Sequence, residues 1–118
     1  MKTKIIFLFA FILVSGYVFA QSKTVKASIK VYGNCAMCKR RIETALDTKG
    51  IKAATWNTKT KQLEVVYQSD KITEKRIHEI ISSVGHDTDQ MKAKDDVYAN
   101  LPFCCLYRDH DHSGMKDN

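Results

Sequence analysis

The order in which apolar residues change their spacing along the chain constrains its fold more than any other feature. In residues 25–31 they recur at every second position, which is typical of a half-buried strand. From Cys38 to Leu46 they take the spacing of a helix, and residues 51–56 and 63–67 return to a strand-like pattern. A second helical stripe follows, and it comprises Ile77, Ile80, Ile81 and Val84.

Turn and capping residues separate these segments. Polar residues 57–61 form a turn short enough for the two flanking strands to pair as a hairpin. Gly50 is expected to end the first helix, Ser69-Asp70 to cap the second and Gly85 to close it. A short fourth strand is expected over residues 88–92. The order predicts a ferredoxin-like βαββαβ sandwich of the α+β class, in which two helices cover one face of an antiparallel sheet.

The N-terminus predicts export. Basic residues precede an unbroken apolar run over residues 5–14, and small residues lead up to Ala20, which is the order of a secretory signal peptide. The run is shorter than the roughly 20 residues that span a bilayer, and no cysteine lies at the cleavage point to carry a lipid. We therefore expect a periplasmic or secreted chain without a membrane span after cleavage. Its predicted parts are a signal peptide at 1–20, one domain at 21–92 and an extension at 93–118.

Charge and composition exclude several classes of function. Removing Lys2 and Lys4 lowers the net charge from +6 to +4, and the remaining basic residues are scattered along the chain. Because no aromatic-studded basic stripe occurs, nucleic acid is not an expected partner. The sequence shows no paired acid and base, no nucleophile beside a base and no phosphate-cradling loop, so we do not expect an enzyme.

Four cysteines occur as two close pairs, Cys35 with Cys38 and Cys104 with Cys105. The first pair lies where the first strand meets the first helix, and two intervening residues let both sulfurs converge. The helix N-terminus favours thiolate over thiol and is expected to lower the pKa of both cysteines. Thiolates are soft donors that suit Cu(I) and Zn(II). A pair presented at the surface in this way predicts the capture or transfer of a soft metal ion.

Two alternatives use the same cysteines without metal. A disulfide-stapled binding module is the usual interpretation of an even cysteine count in a short exported chain, although two close pairs are poorly placed to staple distant loops. A Cys-x-x-Cys beside a βαβ unit also marks thiol–disulfide oxidoreductases. Those enzymes normally carry an aromatic before the first cysteine and a proline facing the pair. Here Asn34 precedes the pair, and Pro102 comes only after the second helix.

Residues 23–92 resemble the heavy-metal-associated domain family. The resemblance is carried by a strand, the loop Cys35-Ala36-Met37-Cys38, a helix that opens with Lys39-Arg40-Arg41-Ile42-Glu43, and Gly50-Ile51 at the next strand. The family includes copper chaperones, domains of metal-exporting ATPases and the periplasmic mercury-binding protein. It therefore implies that Cys35 and Cys38 bind one soft metal ion. Cu(I) is favoured as that ion, with Zn(II) and Hg(II) as alternatives.

The chain departs from the family pattern at two places. The family loop usually carries a methionine before its first cysteine, whereas this chain places Met37 between the two cysteines. We expect Met37 to pack against or shield the sulfurs, and thioether ligation is the alternative. The loop after the second helix usually carries an aromatic residue or a lysine, and here it reads Gly85-His86-Asp87. His86 is a weak candidate as a ligand, and the alternatives are an outer-shell partner or a solvated histidine.

The second cysteine pair lies outside the usual family domain. Adjacent cysteines rarely bond to each other, because Cα atoms about 3.8 Å apart are closer than disulfides normally allow. Cys104 and Cys105 therefore either add thiolates to the metal site, form disulfides with the first pair, or only pack. His110 and His112, followed by Met115, are weak candidates for a metal-catching tail, and a solvated terminus is the alternative.

The sequence thus favours an exported metal-binding protein that acts as a chaperone, scavenger or sensor. Its expected partners are the metal ion and a membrane metal transporter or another metal-binding domain. A monomer and a dimer bridged by the metal are both compatible with the sequence.

Overall fold

A computed structural model describes residues 23–109 of the chain. The predicted signal peptide and the residues His110, His112 and Met115 lie outside the described residues. Among the described residues, no helix is both long and apolar enough to cross a membrane. The elements are β1 (Thr24–Lys30), α1 (Ala36–Ala45), β2 (Ile51–Trp56), β3 (Gln62–Gln68), α2 (Glu74–Ser83), α3 (Asp95–Ala99) and a 3₁₀ turn (Phe103–Cys105).

The three strands form one antiparallel sheet with β3 in the centre, flanked by β1 and β2. The alternation of apolar and polar residues fixes the register of the strands. Ile29 on β1 and Trp56 on β2 both pair with Leu63 on β3, and all three side chains are buried. The opposite face is polar, and there Ser28 donates a hydrogen bond of 2.9 Å to Glu64. This arrangement confirms the predicted ferredoxin-like fold.

The predicted fourth strand is reduced to a single antiparallel bridge between Val31 and Thr88. The Thr88 hydroxyl accepts hydrogen bonds from the backbone N–H groups of Gln90 and Met91, which turns the chain away from the sheet. With its acceptor positions used, the hydroxyl donates to Nδ1 of the buried His78 on α2, 2.6 Å away. The expected strand over residues 88–92 is therefore wrong in length, although Thr88 lies at the expected edge of the sheet.

The core lies between the buried face of the sheet and the two long helices. The α1 helix buries Cys38 and Ile42, and α2 buries Ile77 and Ile81. The start of α2 was predicted wrongly, since Thr73 and not Ser69-Asp70 caps it by accepting a hydrogen bond from the backbone N–H of Arg76 at 3.1 Å.

The extension docks on the domain, and its Leu101, Cys105 and Tyr98 side chains are buried. We call residues 101–109 the strap. Leu101 packs so closely on Gly85 that a Cβ atom at Gly85 would lie 2.9 Å from its Cδ2. Gly85 also has a φ of +102°, which favours glycine over any other residue. The strap therefore approaches the chain at the end of α2, and this route brings Cys104 and Cys105 to the start of α1.

Candidate metal site

Three cysteine sulfurs from two distant parts of the chain meet at the start of α1. The Sγ atoms of Cys35, Cys38 and Cys105 all lie within 4.8 Å of one another, and we call these residues the thiol triad. Cys35 lies 3.7 Å from Cys38 and 3.9 Å from Cys105, and Cys38 lies 2.6 Å from Cys105. Cys104 lies at the rim, 3.2 Å from Cys35. The two pairs in the sequence therefore form one cluster.

Local structure fixes Cys38 beneath the loop. Cys38 lies in the first turn of α1 and is fully buried. The backbone N–H of Asn34 donates to its sulfur at 3.4 Å. Gly33 leaves the space that this turn needs, since a Cβ atom there would lie 3.0 Å from the Trp56 ring and 3.2 Å from the Cβ of Cys38. The chain thus wraps tightly around this sulfur.

This burial corrects the expectation that both sulfurs of the first pair are bare at the surface. Cys35 is half-buried, but Cys38 is covered and has Cys105 against its sulfur. The tight turn at Gly33 encloses this sulfur on one side, and the strap brings Cys105 against it on another. No local pattern in the sequence indicated that the strap would lie there.

The three cysteines of the triad differ in the direction of their pKa shifts. The pKa of Cys38 is lowered to about 5, chiefly by its side-chain hydrogen bond with Cys105, and this bond together with nearby backbone N–H groups outweighs the opposite effect of burial. Burial and the hydrogen bond with Cys104 raise the pKa of Cys35 to about 11. Sharing its proton with Cys38, together with burial, raises the pKa of Cys105. The expected lowering of the pKa is therefore found for Cys38 and not for Cys35.

The sulfur separations fit a metal ion after a small movement. A tetrahedral site with metal–sulfur bonds of about 2.3 Å places neighbouring sulfurs about 3.8 Å apart. The distances of 3.7 and 3.9 Å from Cys35 already match this value. Only Cys38 and Cys105, at 2.6 Å, must separate, and loss of the proton between them on metal binding removes the hydrogen bond that draws them together.

The strap is fixed by a cluster of charged and aromatic residues beside Cys105. Arg108 makes two hydrogen bonds with the Asp87 carboxylate, at 2.7 and 3.0 Å. Tyr107 donates to the Gly85 carbonyl at 2.7 Å and accepts from the backbone N–H of Asp87 at 2.8 Å. Burial opposes ionisation of Asp87, but the hydrogen bonds from Arg108 and from the backbone outweigh it and lower the pKa of that carboxyl. Sequence reasoning missed these residues, because a single sequence does not show which charges pair over this distance.

Comparison with known proteins identifies the domain. Residues 34–87 match the heavy-metal-associated domain. Over this segment the chain has the sequence features of a heavy-metal-associated domain. No match was found among curated proteins.

Solved structures of heavy-metal-associated domains share the fold of the chain. A CopZ metallochaperone is 27% identical, with a TM-score of 0.53 over 54% of this chain and 98% of that one. The water-soluble region of the P-type ATPase CopA from Bacillus subtilis is 29% identical, with a TM-score of 0.54 over 57% of this chain and 46% of that one. Oxidized MerP from Ralstonia metallidurans CH34, at 18% identity, shows the fold alone, with a TM-score of 0.53 over 56% and 94% of the two chains.

The heavy-metal-associated match ends at residue 87, before the strap begins. Cys104 and Cys105 are therefore an addition to the domain. They come to its cysteine loop because the strap is tied to Gly85 and Asp87, at the end of the matched segment.

Met37 lies on the outer rim of the heavy-metal-associated loop. Its side chain is 48% exposed, and its Sδ atom lies 3.8 Å from the Sγ atom of Cys104. Together with Cys35, Ala36, Arg40 and Cys104 it lines an open cavity of about 290 Å³. The half-buried sulfurs of Cys35 and Cys104 thus lie beside an opening on the surface.

His86 is fully buried beside the cluster. Its Nδ1 atom lies 2.8 Å from the Tyr32 carbonyl, and because a carbonyl only accepts, Nδ1 carries the proton. The Nε2 atom therefore has a bare lone pair, and among the described residues it has no hydrogen-bond partner. Burial lowers the pKa of His86, and its ring stacks on the Tyr107 ring with the two centroids 5.5 Å apart. His86 is therefore not a solvated histidine. It is also not a member of the thiol triad.

Proposed function

We propose that the chain is an exported protein that binds a soft metal ion, Cu(I) by preference, through Cys35 and Cys38. It would act in metal transfer, scavenging or homeostasis. The observation that carries the proposal is the gathering of three free cysteine sulfurs at the loop of a heavy-metal-associated domain. Thiolates are the ligands that select Cu(I), while Zn(II) and Hg(II) remain alternatives for the same donors.

The similarity to a metallochaperone and to the soluble region of a P-type ATPase supports a role in metal transfer. We accordingly propose a membrane metal transporter or another metal-binding domain as the partner. The open cavity beside Cys35 and Cys104 supports this role, since an incoming ligand reaches the sulfurs there. Export rests on the predicted signal peptide, and the N-terminal residue of the chain recovered from the compartment outside the cytosol tests it. A first residue of Gln21 is expected, and retention of residues 1–20 would contradict export.

The thiol–disulfide oxidoreductase is disfavoured by which sulfur is ionised. Disulfide exchange starts when an accessible thiolate attacks another disulfide. In this chain the accessible Cys35 has a raised pKa, and the low-pKa Cys38 is buried. The ionised sulfur is therefore shielded from a protein substrate. In an insulin-reduction assay, the rate with the protein present should not exceed the rate with the dithiol reductant alone.

The metal proposal is tested with the reduced chain from Gln21 onward, which contains every described residue. Anaerobic titration with Cu(I) against a chromophoric chelator should give about one tightly bound ion per chain. Cys35→Ser and Cys38→Ser should each abolish tight binding, because each removes a ligand. Lys75→Ser, an exposed substitution on α2, serves as the control and should bind like the unmodified chain. Equal binding by all four proteins would refute the proposal.

A disulfide-stapled module is tested separately by counting thiols. Protein isolated without reductant should yield four titratable thiols if the cysteines serve metal binding. Two or fewer would favour the stapled module.

A further inference from the structure

We propose that Cys105 is a third ligand to the metal ion, delivered by the strap, so that the domain holds its ion with the thiol triad and not with the loop pair alone. This inference rests on the proposed function, because it concerns the ion that Cys35 and Cys38 bind. It assigns a specific role to a part of the chain that the heavy-metal-associated match does not include.

The position of the Cys105 sulfur supports ligation over simple packing. Cys105 is fully buried in the core, where a free cysteine often acts as a small apolar side chain. A cysteine that only packs has no need to direct its sulfur at other sulfurs. Here the Cys105 Sγ atom lies within 4 Å of both Cys38 and Cys35, at 2.6 and 3.9 Å. The three sulfurs form a face onto which one ion fits.

The way the strap is held supports the same role. Anchors lie on both sides of Cys105 along the chain. Leu101 packs on Gly85 before it, and Tyr107 and Arg108 bind Gly85 and Asp87 after it. Cys105 therefore sits on a short segment fixed at both ends, which holds its sulfur in place before an ion arrives and lowers the entropy lost on binding.

Binding by three thiolates can be written with charges balanced. Cu⁺ forms three Cu–S bonds and displaces every proton that the three sulfurs hold. Those protons leave to solvent, and one Cu⁺ with three thiolates makes a complex of net charge −2. Arg40 borders the open cavity beside Cys35, and the N-terminus of α1 adds a partial positive charge at the same end. Both offset the negative charge of the complex.

Cys104 is the natural control for this assignment. It is adjacent in sequence and of the same chemistry, but it lies at the half-buried rim and is not a member of the triad. It is 3.2 Å from Cys35 and borders the open cavity with Met37. Loss of Cys104 should therefore leave the coordination of the bound ion unchanged.

The test is X-ray absorption spectroscopy of the reduced chain from Gln21 onward, loaded with one equivalent of Cu(I), alongside chelator competition. The unmodified chain and Cys104→Ser should both show three sulfur ligands. Cys105→Ser should show two sulfurs, and its affinity should fall by about tenfold or more, since even outer-shell losses at metal sites cost about that much.

The outcomes separate this inference from the proposed function. Failure of the unmodified chain to bind Cu(I) would refute the proposed function itself. Tight binding with two sulfurs, or a sulfur count unchanged in Cys105→Ser, would leave that function standing and overturn the assignment of Cys105. A drop to two sulfurs in Cys104→Ser would assign the third ligand to Cys104, and this result would also overturn the assignment of Cys105. The sulfur count of the unmodified chain needs no variant, so the test holds even if Cys105→Ser does not fold.

Discussion

Removing the charge of Arg108 should release the strap and expose Cys105. The Arg108 side chain makes two hydrogen bonds to Asp87, one of 3.0 Å to Asp95 and one of 2.7 Å to the Ala93 carbonyl. Its guanidinium also lies 4.3 Å from the centre of the Tyr98 ring. Arg108→Met keeps much of the aliphatic stem and removes every one of these polar contacts.

The expected cost follows from the burial of the pair. Breaking one partner of a buried ion pair costs about 3–5 kcal/mol. The side chains of Arg108 and Asp87 are 20% and 15% exposed, so water partly solvates both charges. We therefore discount the figure to about 2 kcal/mol, which corresponds to a roughly 30-fold change in the equilibrium between docked and undocked strap.

The assay is the rate at which Cys105 is alkylated in the reduced, metal-free chain, followed by peptide mass spectrometry. A buried thiol reacts only from the undocked state, so Arg108→Met should raise its labelling rate by about 30-fold. Arg76→Met is the matched control, because Arg76 makes one ion pair with Glu79 at an exposed position and should cost under about 0.5 kcal/mol. An unchanged labelling rate of Cys105 in Arg108→Met would refute the idea that this cluster holds the strap.

Three further predictions concern the strap and the ion. Gly85→Ala and Gly50→Ala both place alanine at a positive φ, and each should destabilise the domain by about 1 kcal/mol or more in chemical denaturation. Only Gly85→Ala should speed the labelling of Cys105, because Leu101 of the strap packs on Gly85 and not on Gly50. Because the pKa of Asp87 is lowered in the folded state, its ionised carboxylate stabilises the metal-free chain above about pH 4, and this stabilisation is lost as pH falls through the folded-state pKa. Asp87→Asn should therefore flatten the acid side of a profile of melting temperature against pH. Cu(I) at about 100 times its Kd should stabilise the chain by about 2.7 kcal/mol, and removing the ion should reverse this.

The sequence predicted the elements whose signals are local. Alternation in residues 25–31 and 63–67 placed β1 and β3, and each pairs as a half-buried strand with its apolar side inward. The cap of α2 was misplaced, because Ser69-Asp70 and Thr73 are all competent caps and only the packing of the turn before α2 decides between them.

The site was predictable only in part, because its geometry depends on contacts distant in sequence. The loop pair Cys35 and Cys38 could be identified from its position before a helix. The contact between Cys38 and Cys105 could not, since it depends on the route of the strap, which the ion pair between Arg108 and Asp87 helps to fix. The spacing of the cysteines left ligation, disulfide formation and packing open for Cys105, and the three-dimensional arrangement brings its sulfur to the other two.

The most direct measurement is the metal content of the protein purified anaerobically from its native compartment, determined by elemental analysis against total protein. The account predicts close to one copper ion per chain, released when Cys35 and Cys38 are alkylated. Protein that carries no soft metal, and that takes up none when reduced and offered Cu(I), would contradict it.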